Sequence, residues 1–446
     1  MMDWRSFHEV TVRIEVVAFK IGLLGYGTVG TGTAEIILDP SGRNNLLQEI
    51  EIAKVGVRSL DKVRSPELPP GVLTTDLESI VNDREIKIIV ELLGGLEPSR
   101  SLILQAIKQG KHIVTANKAV IARHGAEIFT AANQAGVYVL LEAAVGGGIP
   151  VIKPLKQSLG VNRIETVIGI INGTTNYILT QMTEKGANFD GVLADAQKLG
   201  YAEADPTADV EGYDAADKIA ILAAIAFNGR INRDNIPCEG IRQVDASDIN
   251  YADNLGFVIK LLAIAKSNPS NDTLQVRVHP TLVPKNHPLA NVNDVYNAIL
   301  VEGKPLGQVM FFGPGAGKGA TASAVVSDIV NIVGILQTSN ATKNLDPMLR
   351  CSHEHFKQLT PIEEIDTRFY ARFLCQDVSG VIGHLGTSFG NHDVSLESVV
   401  QIGFRNNLAE IVVVTHDVRE GNFRQALTEI KTLASIDSIP SVLRVL

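Results

Sequence analysis

Between Gly200 and Lys218 the chain places six carboxylates before a single lysine, a combination that could transfer protons or bind a cationic group. The acids are Glu203, Asp205, Asp209, Glu211, Asp214 and Asp217, and the apolar run IAILAAIAF follows the lysine at once. A charge beside a core needs a partner or a charged ligand, because burying it alone is costly. The acids do not match the alternating positions of a calcium loop. A solvated acidic face is the alternative interpretation.

Asp214 and Lys218 carry the sharpest signal in this run. A helix is predicted over Asp214–Phe227, with Asp214 as its N-cap, because a carboxylate there can accept from free backbone N–H groups. Lys218 falls one turn later on the same face, with the acid N-terminal to the base, which is the favourable order for an ion pair. The pair predicts either a capped surface helix or a buried polar site.

The elements before residue 150 alternate in type. Strands are predicted at 16–24, 51–57, 86–93, 111–115 and 137–142, with helices such as 99–108 and 125–135 between them. This alternation is typical of an α/β, Rossmann-type doubly wound parallel sheet, here over residues 16–150.

A glycine motif follows the first strand. Gly25, Gly27 and Gly30 form G-x-G-x-x-G, which permits a tight turn, close approach of a pyrophosphate and close helix packing. After the second strand, Arg58 stands where a ribose-binding acid is usual, which favours the 2′-phosphate of NADP. Asp61 lies close by and keeps NAD possible.

A second, α+β domain is predicted over residues 151–320. It combines a strand at 165–171, the polar turn NGTTN, helices at 177–184, 214–227 and 246–267, and strands at 275–283 and 308–312. The helix at 321–336 is expected to return to the first domain. From residue 369 to 446 the order of elements fits a ferredoxin-like βαββαβ module.

Two further segments could bind ligands. Lys118 in VTANKA follows a strand at its carboxyl end, where open parallel sheets bind their ligands. Glu142, followed by VGGGIP, offers a carboxylate and exposed carbonyls to a hard monovalent cation. GPGAGKGAT at 313–321 does not fit a phosphate loop of nucleoside triphosphatases, because the first glycine and the closing Ser or Thr are missing.

Composition narrows the class of protein. The chain has 446 residues and a net charge of −9, which argues against nucleic-acid binding. Three scattered cysteines fit a reducing cytoplasm, and no stretch is predicted to cross a membrane.

Taken together, the motifs resemble those of homoserine dehydrogenase in its monofunctional form with a C-terminal ACT domain. The matching segments run in family order from about residue 20 to the end: GLLGYGTVG, VELLGG, VTANKA, EAAVGGGIP, GIINGTTNYIL, LGYAEADPTADVEGYDAADK and GPGAGKGATAS. The resemblance implies NAD(P)-dependent interconversion of L-homoserine and L-aspartate 4-semialdehyde, on the route to threonine and methionine. A nucleotide or amino-acid sensor without activity, and a dehydrogenase of another amino or hydroxy acid, are the alternatives.

The resemblance also implies roles for individual residues. Lys218 and Lys118 would be catalytic, and the substrate would be bound by Glu203, Asp214 and Asp209. The cofactor would contact Gly25, Gly27, Thr28, Val29, Gly30, Arg58, Thr115, Lys118, Gly200 and Gly315. A sodium ion would be held by Glu142 and the carbonyls of Val145, Gly147 and Ile149. Threonine is the expected effector at the ACT module, near Asp377 and Gly380, and a homodimer or homotetramer is the expected assembly.

Overall fold

The computed structural model describes residues 18–268, 272–338, 345–351, 353, 355–405 and 407–446. The N-terminal elements are β1 (Phe19–Leu24), α1 (Thr28–Leu38), β2 (Ile50–Gly56), β3 (Leu73–Thr74), α2 (Leu77–Asn82), β4 (Ile88–Glu91), α3 (Ser99–Lys108), β5 (His112–Thr115), α4 (Lys118–Ala135) and β6 (Val139–Leu140).

These strands form one parallel sheet of six, in the order β3-β2-β1-β4-β5-β6. The central strands read as continuous apolar runs because helices cover both faces of the sheet. Helices α2, α3 and α4 pack on one face and α1 on the other. The predicted doubly wound Rossmann sheet is confirmed.

The middle of the chain combines helices with the strands of a second sheet. Its elements are α5 (Ile152–Lys156), β7 (Arg163–Ile170), α6 (Gly173–Lys185), α7 (Phe189–Lys198), α8 (Thr207–Val210), α9 (Tyr213–Ala226), α10 (Ala246–Asn254), β8 (Phe257–Asn268), β9 (Thr273–Pro284), β10 (Tyr296–Lys304), β11 (Gly307–Pro314) and α11 (Lys318–Thr338).

Helix α11 packs beside α1 on the N-terminal sheet. Its buried residues, among them Val325, Ile329 and Val333, belong to the same apolar cluster as Ile21 and Leu23 of β1. By length and composition α11 is also the one helix among the described residues that could cross a membrane. That composition is explained by its position between a sheet and a neighbouring helix.

The C-terminal module contains β12 (Asp366–Cys375), α12 (Val381–Asn391), β13 (Leu396–Arg405), β14 (Leu408–Thr415), β15 (Val418–Arg419), α13 (Glu420–Ile430) and β16 (Ile436–Val445). The predicted βαββαβ order is confirmed, with the short β15 added. Strand β16 also pairs in parallel with β9 of the middle domain, through Arg444–Thr281 and Val445–Leu282. The two regions therefore share one ten-stranded sheet.

Two local predictions are wrong. The helix expected over 246–267 ends at Asn254, and strand β8 begins at Phe257. Gly256 between them has φ +84°, a conformation that suits glycine, and the following run FVIKLLAIAK has no polar helical face. The segment NGTTN is not a turn but the start of α6, which Asn172 caps by accepting from the Thr175 N–H at 2.9 Å.

Candidate active site

A buried carboxylate joins two lysines from different domains. Asp214 lies in the first turn of α9 and is only 7% exposed. Its Oδ2 accepts from Lys218 Nζ at 2.6 Å, and its Oδ1 lies 2.9 Å from Lys118 Nζ. Lys218 is on the same helix, whereas Lys118 is the first residue of α4 in the N-terminal domain. The sequence-predicted pair is therefore a buried site completed by a third residue.

Helix starts position all three groups. Asn117 caps α4 by accepting from the Val120 N–H at 3.2 Å, which places Lys118 at the carboxyl edge of the parallel sheet. The prediction that Asp214 caps α9 is wrong, because Gly212 occupies that position with φ +80°. Asp214 lies two residues further on, where its carboxylate turns to the lysines instead of the backbone.

Asn172 connects a second carboxylate to the cluster. Its Nδ2 donates to Asp209 Oδ1 at 2.7 Å and to Asp214 Oδ2 at 2.9 Å. Lys218 Nζ also donates to the Ile171 carbonyl at 2.7 Å, beside this asparagine. Asn172 is not among the site residues predicted from the sequence, although an Asn before G-T-T-N at the end of a strand is a recognisable helix-cap signal.

The charges in the cluster depend on one another. Burial alone raises the pKa of Asp214, but the two ammonium groups outweigh burial and hold this pKa well below its ordinary value. Asp214 in turn raises the pKa of Lys118. Burial, and then the charge of Asp214, raise the pKa of Asp209. The site therefore contains an ionised acid, a charged Lys118 and a second acid that takes up a proton more readily than usual.

A large cavity opens at the same edge of the N-terminal sheet. It has a volume of about 940 Å³ and is lined by Gly25, Gly27, Thr28 and Arg58, four of the residues predicted to bind cofactor. Lys62, Arg64 and Lys318 add positive charge to its wall. The N-terminus of α1 lies at this cavity, and helix N-termini attract phosphate groups. The size and charge fit a dinucleotide.

Gly30 acts beneath the cavity and not in its wall. A Cβ at this position would lie 2.2 Å from the carbonyl oxygen of Gly25, so a side chain here would displace the turn itself. Gly25 has φ +113°, which an ordinary side chain would also strain. Val29 is half-buried beside these glycines. Both glycines therefore shape the turn that the cavity needs.

Six of the ten predicted cofactor residues do not line this cavity, namely Val29, Gly30, Thr115, Lys118, Gly200 and Gly315. Thr115 is fully buried and donates its hydroxyl to Glu91 Oε2 at 2.7 Å, so its side chain is already engaged. Gly200 lies in the loop after α7 with φ +76°. Gly315 packs against Asn297, whose Nδ2 would lie 2.0 Å from a Cβ on Gly315.

The segment predicted to hold sodium has both free and engaged oxygens. Glu142 is 3% exposed, and its carboxylate accepts from the backbone N–H groups of residues 151–153 at 2.6, 2.8 and 2.9 Å. It therefore anchors the start of α5. Among the described residues, no hydrogen bond uses the other three predicted ligands, the carbonyl oxygens of Val145, Gly147 and Ile149. The three carbonyl oxygens are suitable ligands for a hard cation. The Glu142 carboxylate could bind the same cation only while it also accepts hydrogen bonds from the start of α5.

The remaining acids of the opening run divide in an unexpected way. Glu203 is exposed on the loop before α8, and no described contact joins its carboxylate to Asp214. For Asp217, the alternative interpretation of a solvated acidic face is wrong. It is 6% exposed and accepts from Arg233 Nε at 2.6 Å and from Arg123 Nη1 at 2.9 Å. Asp217 therefore ties α9 to α4 near the lysines.

The C-terminal module contains a smaller cavity, of about 160 Å³. Gln376, Asp377 and Gly380 line it where β12 leads into α12, together with Gln401. Gly380 has φ +94° and is the N-cap of α12. The cavity could accommodate a small polar ligand.

Known proteins resemble this chain along nearly its whole length. The family model described as "Homoserine dehydrogenase" matches residues 150–330, "Homoserine dehydrogenase, NAD binding domain" matches 25–142, and "ACT domain" matches 369–435. A homoserine dehydrogenase of Synechocystis sp. is 69% identical over 429 residues, 96% of this chain and 99% of that protein.

Solved structures agree with these sequence matches. The crystal structure of a homoserine dehydrogenase from Thiobacillus denitrificans matches with a TM-score of 0.88 and 42% identity, over 96% of this chain and 98% of that one. A hyperthermophilic archaeal homoserine dehydrogenase in complex with NADPH matches with a TM-score of 0.60 and 27% identity, over 73% of this chain and 100% of that one.

Proposed function

Because this chain belongs to the homoserine dehydrogenase family, we propose that the two lysines on Asp214 carry its reaction. The enzyme interconverts L-homoserine and L-aspartate 4-semialdehyde, an oxidation or reduction at a CH–OH group with a nicotinamide cofactor. The observation that carries the residue assignment is the single buried carboxylate held by Lys118 and Lys218 at the carboxyl edge of the cofactor-binding sheet. Ligands of open parallel sheets bind at this edge.

Lys218 is suited to proton transfer. The bound cofactor supplies or accepts the hydride at the reacting carbon. In reduction, the electron pair of the carbonyl moves to oxygen, and Lys218 Nζ donates a proton to that oxygen; in oxidation, neutral Lys218 accepts the hydroxyl proton. Asp214 and the Ile171 carbonyl fix the direction of its ammonium group.

Lys118 and the acids of the site provide the charges that the reacting oxygen and the substrate ammonium need. Lys118 is 40% exposed, so its ammonium can reach a ligand and stabilise negative charge that develops on oxygen. Asp214 and Asp209 give the site the carboxylates that a substrate ammonium requires, and Glu203 would join them if its loop closed over the substrate. The roles of Lys118 and Glu203 rest on the resemblance to the family, and the chemistry of an amino-acid substrate supports them.

Turnover of Lys218→Ala tests the assignment. This variant should lose homoserine oxidation by at least about 100-fold while binding cofactor with unchanged affinity, because the cofactor cavity lies on another domain. Lys185→Gln, on an exposed helix end, is the matched control. Turnover within about twofold of wild type in Lys218→Ala would exclude it as the proton carrier.

The cofactor proposed is NADP, with NAD also accepted. Arg58, Lys62 and Arg64 line the cavity near the predicted ribose position, and guanidinium groups suit a 2′-phosphate. The archaeal homoserine dehydrogenase whose structure is in complex with NADPH supports this preference. Arg58→Ala should raise the KM for NADPH more than the KM for NADH; equal effects on both would remove the basis for the assignment.

A sodium ion at Glu142 and the three neighbouring carbonyls is proposed as a structural ligand of the loop before α5. The carbonyls of Val145, Gly147 and Ile149, which accept no hydrogen bond from the part of the chain that the structure describes, support it. Replacing sodium by a bulky organic cation at constant ionic strength should lower the melting temperature. An unchanged melting temperature would count against the site.

Threonine is proposed as the effector of the C-terminal module. Asp377 offers a carboxylate for an ammonium group, and the N-terminus of α12 beside it offers backbone N–H groups for a carboxylate. Asp377→Ala should abolish inhibition by threonine. This point variant is preferable to deleting the module, because β16 pairs with β9 and deletion would expose that edge. An unchanged threonine response would assign the cavity another ligand.

We also propose three domains at 16–150, 151–320 and 369–446, a homodimer or homotetramer, and a cytoplasmic location. Three free cysteines support the location. The stacked pair of Tyr296 on β10 and Phe312 on the edge strand β11, each about half exposed, supports assembly. Light scattering on the purified protein would determine the oligomer directly.

A further inference from the structure

A cavity of about 250 Å³ lies between α4 and α9, the helices that carry Lys118 and Lys218. Its apolar walls are formed by Ile121, Phe129, Ala220, Ile221, Ala224 and Ile225. Cys351, His353 and Phe356 close one side. This cavity is separate from the cofactor cavity and from the lysine cluster, since it shares no lining residue with either.

Two cations line the cavity without an acidic partner among the described residues. Lys156 Nζ donates to the Leu349 carbonyl at 2.6 Å. Arg230 donates to the His353 carbonyl at 3.0 Å and to Thr130 Oγ1 at 2.9 Å. By contrast, the other two arginines in the wall, at positions 123 and 233, both pair with the carboxylate of Asp217.

The environment of His353 reflects this positive charge. Burial, and then the charges of Lys156 and Arg230, lower the pKa of its imidazole to about 4. Its Nδ1 lies 2.9 Å from Cys351 Sγ, inside the closing segment. The cavity thus combines apolar walls with cationic side chains that outnumber Asp234, the acid that also lines it.

We propose that this cavity is a binding site for a small carboxylate with an apolar tail. The tail would replace open space between the alanines and isoleucines of the two helices, and the carboxylate would accept from Lys156 and Arg230. Charge-assisted hydrogen bonds of this kind are stronger where water is partly excluded. The volume limits the ligand to a short chain.

A ligand bound in this cavity should affect the geometry of the lysine cluster. Ile121 lies one turn after Lys118 on α4, and Ala220 lies two residues after Lys218 on α9, so a ligand that packs between these walls also fixes the starts of both helices relative to each other. This coupling rests on the proposed roles of Lys118 and Lys218. Binding itself does not.

Hexanoate is the probe, and hexanamide, which has the same shape without the charge, is its control. Calorimetric titration of the full-length protein with saturating homoserine should give saturable hexanoate binding with a Kd on the order of 1 mM, as expected for so small a ligand. Hexanamide should bind at least about tenfold more weakly. Equal binding of the two compounds, no saturable binding, or competition with homoserine would overturn the proposal.

Two variants locate the site. Lys156→Gln keeps a donor for the Leu349 carbonyl but removes the charge, and should weaken hexanoate about tenfold. Ala224→Leu fills the cavity from α9 and should abolish binding, while Lys185→Gln should bind as wild type does. Unchanged affinity in both cavity variants, with their melting temperatures preserved, would also refute the site.

Kinetics test the coupling separately. Saturating hexanoate should change kcat for homoserine oxidation at least about twofold in wild type and leave kcat unchanged in Ala224→Leu. Binding without a change in kcat would overturn the coupling while the binding site stands. If Lys218 is not the proton carrier, Lys218→Ala will keep its turnover in the absence of hexanoate. This result is independent of hexanoate binding, so the two failures are distinguishable.

Discussion

Asp217→Asn should lower the free energy of unfolding by about 3 kcal/mol, because it removes the charge that balances a buried guanidinium. Asp217 and Arg233 are 6% and 8% exposed, and their contact is 2.6 Å long. Without the carboxylate charge, Arg233 would keep only the asparagine oxygen and a longer bond of 3.3 Å to the Tyr213 carbonyl. An uncompensated buried charge typically costs 3–5 kcal/mol, and the retained amide oxygen places this variant at the lower end.

The second partner of Asp217 provides an internal comparison. Arg123 is one-third exposed, and its contact with Asp217 is 2.9 Å long. Solvent screens such a pair, so Arg123→Met should cost only about 0.5–1 kcal/mol. Asp217→Asn therefore removes the charge from both contacts of the carboxylate, whereas Arg123→Met removes only the more exposed contact, so the difference between their costs measures the buried contact with Arg233.

Urea unfolding of the full chain gives the free energies, and steady-state kinetics give the functional consequence. Since Asp217 links α4 to α9, its loss should let Lys118 move relative to Asp214, lowering kcat at least about tenfold. Glu211→Gln is the matched control, because Glu211 pairs with Arg242 at a more exposed position on the same acidic run. If Asp217→Asn costs no more than Arg123→Met or Glu211→Gln, the reasoning from burial is refuted.

Two further predictions concern pH and the glycine turn. Burial raises the pKa of Asp328 from 3.8 to about 6, so its charged form destabilises the folded state. This rise in pKa corresponds to about 3 kcal/mol of lost stability, a cost that is absent below about pH 4, where Asp328 is protonated in both states, and complete above about pH 6, where it is charged in both. Urea unfolding should therefore show that wild type loses stability relative to Asp328→Asn as the pH rises through this window. A constant difference in stability between the two proteins would contradict the prediction. Gly27→Ala has open space around its Cβ, so it should keep the melting temperature and raise the KM for cofactor at least about tenfold, whereas Gly30→Ala meets the Gly25 carbonyl at 2.2 Å and should lower the melting temperature. Equal melting temperatures for the two variants would refute the assigned difference.

Much of the fold can be predicted from the sequence because the order of strand and helix patterns differs between the three regions of the chain. Short apolar runs separated by helical patterns specify a parallel sheet, since both faces of its strands are buried. The failure at 246–267 has a physical cause. A buried strand such as FVIKLLAIAK is apolar on both faces, so it lacks the alternation that distinguishes a strand from a buried helix, and only Gly256 marks the boundary.

The site shows where local spacing stops being informative. Asp214 and Lys218 are one turn apart, so their contact follows from helix geometry alone, whereas Lys118 reaches them only because α4 and α9 meet in the folded chain. Asp217 depends on the same meeting, since its two arginines come from α4 and from the segment after α9. The residues next to Asp217 in the sequence nevertheless indicate that it is buried. Apolar residues surround it on α9, and an acid in a helix that is buried on most sides must find cations on whatever packs against it.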